Sequence, residues 1–191
     1  PSGCDETCGS TLEFDLCGEC DGDDFTDSDG DGNGDTCDSS PYGEASLSFD
    51  NITDQTVNIL YNSDVDIYGF QFNVSGVELT DVQSTLDNVS FSSATGIAIG
   101  FSMSGDFIPS GDGVLATLSF VPQSNLSELS INDMIISGVG GGDVIESGPG
   151  SIEIEGCYEI DCAGVCYGDA ADDECGECAG DNSSCTDDCG V

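Results

Sequence analysis

The twelve cysteines of this 191-residue chain are confined to its two ends: five lie before Gly43, none between Glu44 and Gly156, and seven between Cys157 and Val191. Disulfides can therefore staple only the ends, while the central stretch must be held by a hydrophobic core of its own, which a segment of that length can build. Acidic residues divide in the same way, with 13 in the first 43 residues, 16 in the middle 113 and 10 in the last 35. Three regions follow: an acidic, cysteine-rich connector over 1–43, a core domain over 44–156 and a second cysteine-rich segment over 157–191. An even cysteine count in a chain this short fits an oxidised, exported protein, so the expected location is extracellular or at a cell surface.

The chain contains 39 Asp and Glu and no Lys, Arg or His, a formal charge of -39. No side-chain salt bridge can form, and only solvent cations or bound metal can offset the charge. Nucleic acid and anionic lipid are expected to be excluded as partners, because both recruit Lys and Arg. No apolar run reaches the length of a membrane helix, so no membrane insertion is expected. The chain opens at Pro1 without a charged and apolar leader, which reads as a mature product or a segment of something longer. Without His or Lys there is no Ser-His or Cys-His pair and no Schiff-base amine, and the chain is not expected to be an enzyme.

The two ends repeat each other. Cys4, Cys8, Cys17 and Cys20 are separated by 4, 9 and 3 positions, as are Cys162, Cys166, Cys175 and Cys178. Cys185 and Cys189 begin what reads as a further copy, the pattern of a modular array. All twelve cysteines, including Cys37 and Cys157, are expected in disulfides. Connectivity does not follow from spacing; the favoured pairings are Cys20 with Cys37 and Cys178 with Cys185, each closing a short acidic loop.

The middle region reads as eight strands: 45–49, 56–61, 68–74, 77–82, 97–103, 114–121, 129–136 and 151–155. Tyr68, Phe70, Phe72 and Val74 share one strand face, as do Ile97, Ile99, Phe101 and Met103, and as do Ala116, Leu118 and Phe120. Turn-rich pieces intervene, such as Pro109 to Gly113 and Gly138 to Asp143, within which Gly138 to Gly142 reads as a flexible hairpin. The fold class is all-β, an antiparallel β-sandwich.

Two resemblances attach to particular residues. Ser46-Leu-Ser-Phe-Asp-Asn51, Ile67-Tyr-Gly-Phe-Gln-Phe72 and Gly113-Val-Leu-Ala-Thr-Leu-Ser-Phe120 resemble the cohesin-like, immunoglobulin-like sandwiches of bacterial secreted and surface proteins. That resemblance implies the sandwich fold and, for cohesins, dockerin binding. Asp27-Ser-Asp29-Gly-Asp31-Gly-Asn33-Gly-Asp35-Thr-Cys37-Asp38 resembles a thrombospondin type 3 calcium repeat. The terminal blocks resemble the Cys-Gly-x-Cys-x-Gly-Asp repeats of extracellular matrix proteins.

Calcium takes six to eight oxygens, and carboxylates at alternate positions of a turning loop can converge on one ion. The candidate ligands are Asp27, Asp29, Asp31, Asn33, Asp35 and Asp38, with Asp21 and Asp23 near enough to join a second ion. Asp169, Asp172, Asp173 and Asp181 are the C-terminal counterparts. A solvated acidic linker is the other reading of such a run. The Cys-x2-Cys pairs also suit a zinc site, but the acid-only composition favours disulfides. Five of nine Asn head Asn-x-Ser/Thr sequons, namely Asn51, Asn73, Asn88, Asn125 and Asn182, which are glycosylation candidates in an exported chain. The expected function is a calcium- and disulfide-stiffened structural module of an extracellular fibre or surface protein, its partners being neighbouring copies of the same module and attached glycans. The alternative is a cohesin-type or carbohydrate-binding adhesive module. A strand passed from one subunit to the next is a third possibility.

Overall fold

The structure, a computed structural model, describes residues 2–124, 126–156, 160–165 and 168–182. Its ten strands are β1 (Glu44–Asp50), β2 (Thr56–Ser63), β3 (Gly69–Ser75), β4 (Val77–Gln83), β5 (Asn88–Phe91), β6 (Ile97–Phe101), β7 (Gly111–Pro122), β8 (Leu126–Ser137), β9 (Asp143–Ser147) and β10 (Ser151–Glu155). One sheet runs β4-β7-β2-β1, and the other runs β5-β6-β3-β8, with β9 and β10 along the far edge of β8. A single buried cluster fills the space between them, including Val57, Ile59, Leu118 and Phe120 from the first sheet and Phe70, Phe72, Leu129 and Ile136 from the second. The alternation in β3 and β7 is what the sequence predicts: Phe70, Phe72 and Val74 point inward, as do Ala116, Leu118 and Phe120.

Four features differ from the sequence expectation. β5 and β9 are additional strands. β5 has four residues and no fully buried side chain, and β9 has one, Val144, so neither carries the inward alternation that marks a strand in sequence. Second, β9 follows directly on the Gly138 to Gly142 hairpin, which closes with a bond from the Gly138 amide to the Gly142 carbonyl, and makes a parallel pair with β1, Glu44 facing Ile145 and Ser46 facing Ser147. The sandwich is thus not wholly antiparallel. β9 returns along β8 and then swings to the other sheet, tying the two together along one side. Third, Ile97, Ile99 and Phe101 do share a face, but it is the outer one. The core side of β6 is Ala98 and Gly100, both buried. The reason is space: a Cβ on Gly100 would run into the Phe70 ring, which occupies the volume a larger β6 residue would need. Fourth, Met103 falls beyond β6 and is 81% exposed.

The outer face of the second sheet is consequently apolar in its middle. In antiparallel sheets residues directly opposite one another project to the same side. Ile99 lies opposite Ser90 on one side and Gln71 on the other, and Gln71 lies opposite Ile135. Phe101 lies between Asn88 and Gly69, and Ile97 opposite Asn73. The outer face of the first sheet is instead rich in Ser, Thr and Asn, such as Ser46, Ser48, Asn58, Asn62, Thr117 and Ser119.

Candidate metal centre

The acid loop precedes β1 and is built from local turns rather than from a core, since no buried apolar residue precedes Ala45 among the described residues. Gly30 and Gly32 adopt φ of 84° and 97°, which lets the chain wind tightly around the carboxylates. Asp27 accepts hydrogen bonds from the Gly30 and Gly32 amides at 2.7 and 3.1 Å, and Asp29 accepts from the Asp31 amide at 3.1 Å. Side-chain oxygens of Asp27, Asp29 and Asp31 lie within 4.8 Å of one another. Three carboxylates at alternate positions, converged to that distance on a partly exposed loop, fit a hard cation such as calcium. Burial, opposed by the Asp31 amide and reinforced by the charges of Asp31, Asp38 and Asp27, holds the Asp29 carboxyl above its ordinary value. A divalent ion bound there would act against that shift by favouring the ionised carboxylate.

The other three candidate ligands each have hydrogen-bond partners of their own in the loop. Both Asp35 oxygens are occupied by Ser28, one by its amide at 2.8 Å and one by its hydroxyl at 2.7 Å. Asp38 accepts from the Ser40 amide at 3.0 Å. The Asn33 amide and side-chain nitrogen both donate to Asp31, at 2.8 and 2.7 Å. An Asp that accepts the amide two positions on, as Asp38 and Asp31 do, makes a common local turn, whereas the Asp35 bonds to Ser28 reach back seven positions across the loop.

The cysteines pair differently from the expectation. Cys20 bonds Cys4 rather than Cys37, Cys37 bonds Cys17, and Cys178 bonds Cys162 rather than Cys185. Cys175 is also disulfide-bonded. Cys8, expected in a disulfide, is free and exposed; Cys157, Cys166, Cys185 and Cys189 lie outside the described residues. Sulfurs of Cys17 and Cys37 beside Asp24, and of Cys162 and Cys178 beside Asp172, are grouped closely enough for a metal, but disulfide sulfurs are not thiolates and these groups are not zinc sites.

The pairing follows from a turn that the sequence reading missed. Asp15 accepts the Glu19 amide at 2.8 Å, Asp161 the Val165 amide at 2.7 Å and Asp173 the Glu177 amide at 2.9 Å. Each turn closes with a main-chain bond from the Asp amide to the carbonyl four residues on. In the two blocks for which both strands of the turn are described, the turn brings Phe14 beside Cys20 and Asp172 beside Cys178. Seven residues after each Asp stands a glycine, Gly22, Gly168 or Gly180, where a Cβ would collide with the Asp carboxylate. The three turns share the pattern Asp-x-x-Gly-x-Cys-x-Gly, from Asp15, Asp161 and Asp173, and that pattern is the signal that would have revealed them. Amides of Glu177 and Asn182 hold the Asp173 carboxyl below its ordinary value, as backbone donors to an ionised carboxylate do. Asp24 is likewise held low by the Thr36 hydroxyl and amide, at 2.6 and 2.9 Å.

Of the sequons, Asn51 is exposed in the β1–β2 turn with φ of 46°. Asn73 and Asn88 stand on β3 and β5. The Asn182 side-chain oxygen accepts the Glu174 amide at 2.7 Å, and Asn125 lies outside the described residues. No helix among the described residues is long and apolar enough to cross a membrane.

No family model matches the chain. No curated protein matches it. Among solved structures it is similar to a non-cellulosomal cohesin from the archaeon Archaeoglobus fulgidus, at 18% identity and a TM-score of 0.43, over 58% of this chain and 91% of that one. It is also similar to the third ScaC cohesin of Acetivibrio cellulolyticus, solved in complex with the ScaB dockerin, at 17% identity and a TM-score of 0.43, over 59% and 98% of the two chains. The Reelin-N domain of F-spondin is similar at 11% identity and a TM-score of 0.37, over 60% and 87%. With TM-scores below 0.5, these similarities add nothing to the fold that strand order and register establish.

Proposed function

We propose that the chain is an in-line structural module of an exported fibre or surface protein, non-catalytic, with connectors stiffened by disulfides and calcium. The observation that carries this reading is the direction of the first and last strands. β1 runs parallel to β9, and β9 and β10 both run antiparallel to β8, so β1 and β10 point the same way. Measured along β8, the entry at Glu44 lies one step from the position opposite Ile136, and the exit at Glu155 lies opposite Leu126. Roughly ten strand residues separate them, about 30 Å. A module entered at one end and left at the other extends an array, whereas one with adjacent ends hangs from it.

Stiffness of the N-terminal connector depends on its disulfides and on the Asp27, Asp29 and Asp31 cluster, because it has no core to depend on. Calcium titration of the full chain by calorimetry is expected to show binding in the range of extracellular modules, a Kd on the order of 10⁻⁴ to 10⁻³ M. Asp29→Asn should weaken it at least tenfold, and chelation should expose residues 21–43 to protease while leaving the sandwich intact. Absence of calcium binding at 10 mM, or a protease map indifferent to chelator, would remove calcium from this reading.

A second reading, the cohesin-type or carbohydrate-binding adhesive module, is favoured by the apolar outer stripe of Ile97, Ile99 and Phe101. The last of these is 42% exposed, and exposed apolar stripes commonly mark contact surfaces. Under this reading Ile99→Asp abolishes partner binding without unfolding the chain; a partner whose affinity is unchanged by that substitution would sink it. A partner from another molecule seated on the stripe supports this reading, and the chain's own glycans covering it support the first.

A further inference from the structure

We infer that N-linked glycans on Asn73 and Asn88 lie across the apolar stripe of β6 and close this face of the sandwich to protein partners. The two sequons flank the stripe at its opposite ends and from opposite sides. Asn88, on β5, stands directly opposite Phe101, and Asn73, on β3, stands directly opposite Ile97. Directly opposed side chains in such a pair have Cβ atoms about 5 Å apart. Each attachment nitrogen is therefore adjacent to an end of the stripe, and the stripe itself, four strand steps from Ile97 to Phe101, is about 13 Å long. Two or three sugar rings from each end would span it. The sequon hydroxyls, Ser75 and Ser90, sit two residues on along each strand and so project to the same outer face. Ser90 is directly opposite Ile99.

Charge narrows what can cover this surface. A second copy of the chain carries another -39 and no cation to offset it, so stacking two such faces opposes strong repulsion. A neutral glycan meets no such barrier, and a sugar ring presents a C–H face that removes apolar side chains from water. The first asparagine is also prepared for substitution. Asn73 donates a hydrogen bond from Nδ2 to the Thr95 carbonyl at 2.7 Å. In glycosylation Nδ2 bonds to the anomeric carbon of an activated glycosyl diphosphate. The carbon–oxygen bond to the diphosphate breaks with its electron pair leaving on the diphosphate, and Nδ2 gives up one of its two protons. The remaining N–H keeps the bond to Thr95 and fixes the direction in which the first sugar leaves the sheet.

Glycosylation needs export of the chain but not its assembly into a fibre, so the test is independent of the calcium measurement. The full chain secreted from an N-glycosylating host would be mapped by peptide mass spectrometry and probed with an apolar fluorescent dye. Both Asn73 and Asn88 are expected to be occupied, and dye fluorescence should rise severalfold when an amidase strips the glycans from the folded protein. The Asn73→Gln, Asn88→Gln double variant should show the same rise, and Asn51→Gln, at the distant turn, none. Either asparagine unoccupied, or dye uptake unchanged by removal of the glycans, overturns the inference. So does a protein that binds the glycosylated chain across Ile99.

Discussion

Phe120→Ala should lower the stability of the sandwich by about 3–5 kcal/mol, the loss seen when a large aromatic is removed from a close-packed core. Phe120 is 2% exposed, sits in the longest strand of the first sheet and faces Leu79 of β4, itself 1% exposed. Its neighbours are fixed from both sides by strand pairing, so the cavity left behind cannot collapse freely. For a domain of this size the loss corresponds to a fall in Tm of about 10–20 °C. Thermal unfolding followed by far-ultraviolet circular dichroism measures it, with Ile99→Ala on the outer face as the control that should change Tm little. A fall of under 5 °C for Phe120→Ala would mean that the two sheets do not share one close-packed core.

Cys17→Ser should have the opposite distribution of effects: it should disorder the N-terminal connector and spare the sandwich. The Cys17–Cys37 bond closes a loop with a sequence separation of 20, worth about 3 kcal/mol in unfolded-chain entropy on the usual model. In a domain with a core such a loss is partly absorbed. Here the polar turns around Asp15, Asp24 and Asp35 are held by exposed or half-exposed hydrogen bonds that water can replace at little cost. Limited proteolysis with mass readout should show rapid cutting between residues 21 and 43, with the sandwich Tm within about 2 °C of the parent chain. A variant that stays resistant would show that something other than this disulfide orders the connector.

The sandwich was legible in sequence where one side of a strand is bulky and the other polar. β3 and β7 meet that condition, and Phe70, Phe72, Leu118 and Phe120 are buried as alternation predicts. β6 misled because alternation fixes which residues share a face but not which face is inside. The larger set, Ile97, Ile99 and Phe101, is outside because the core side of this strand is already filled by the Phe70 ring. β5 and β9 were invisible because a short strand that buries one side chain or none is held by backbone pairing more than by burial. In the connector, the alternate spacing of Asp27, Asp29 and Asp31 was sufficient to bring them together. Asp35 lies on the same alternate spacing and accepts both of its bonds from Ser28, while Asp38, three positions further on, accepts the Ser40 amide. Disulfide partners were not readable, since pairing depends on the turn at Asp15 and its copies rather than on intervals between cysteines.

The common direction of β1 and β10 has a mechanical side. Tension applied between Gly43 and Gly156 draws each of these strands along its own length. β1 is bonded to β2 on one edge and β9 on the other, and β10 to β8. Interstrand hydrogen bonds stand across the strand direction, so such a pull strains each row in shear, all of its bonds together. Neighbouring strands pulled away from a shared end would instead unzip, each bond failing before the next is loaded. Strand β9, bridging the two sheets, passes tension entering through β1 across to the sheet from which the chain leaves.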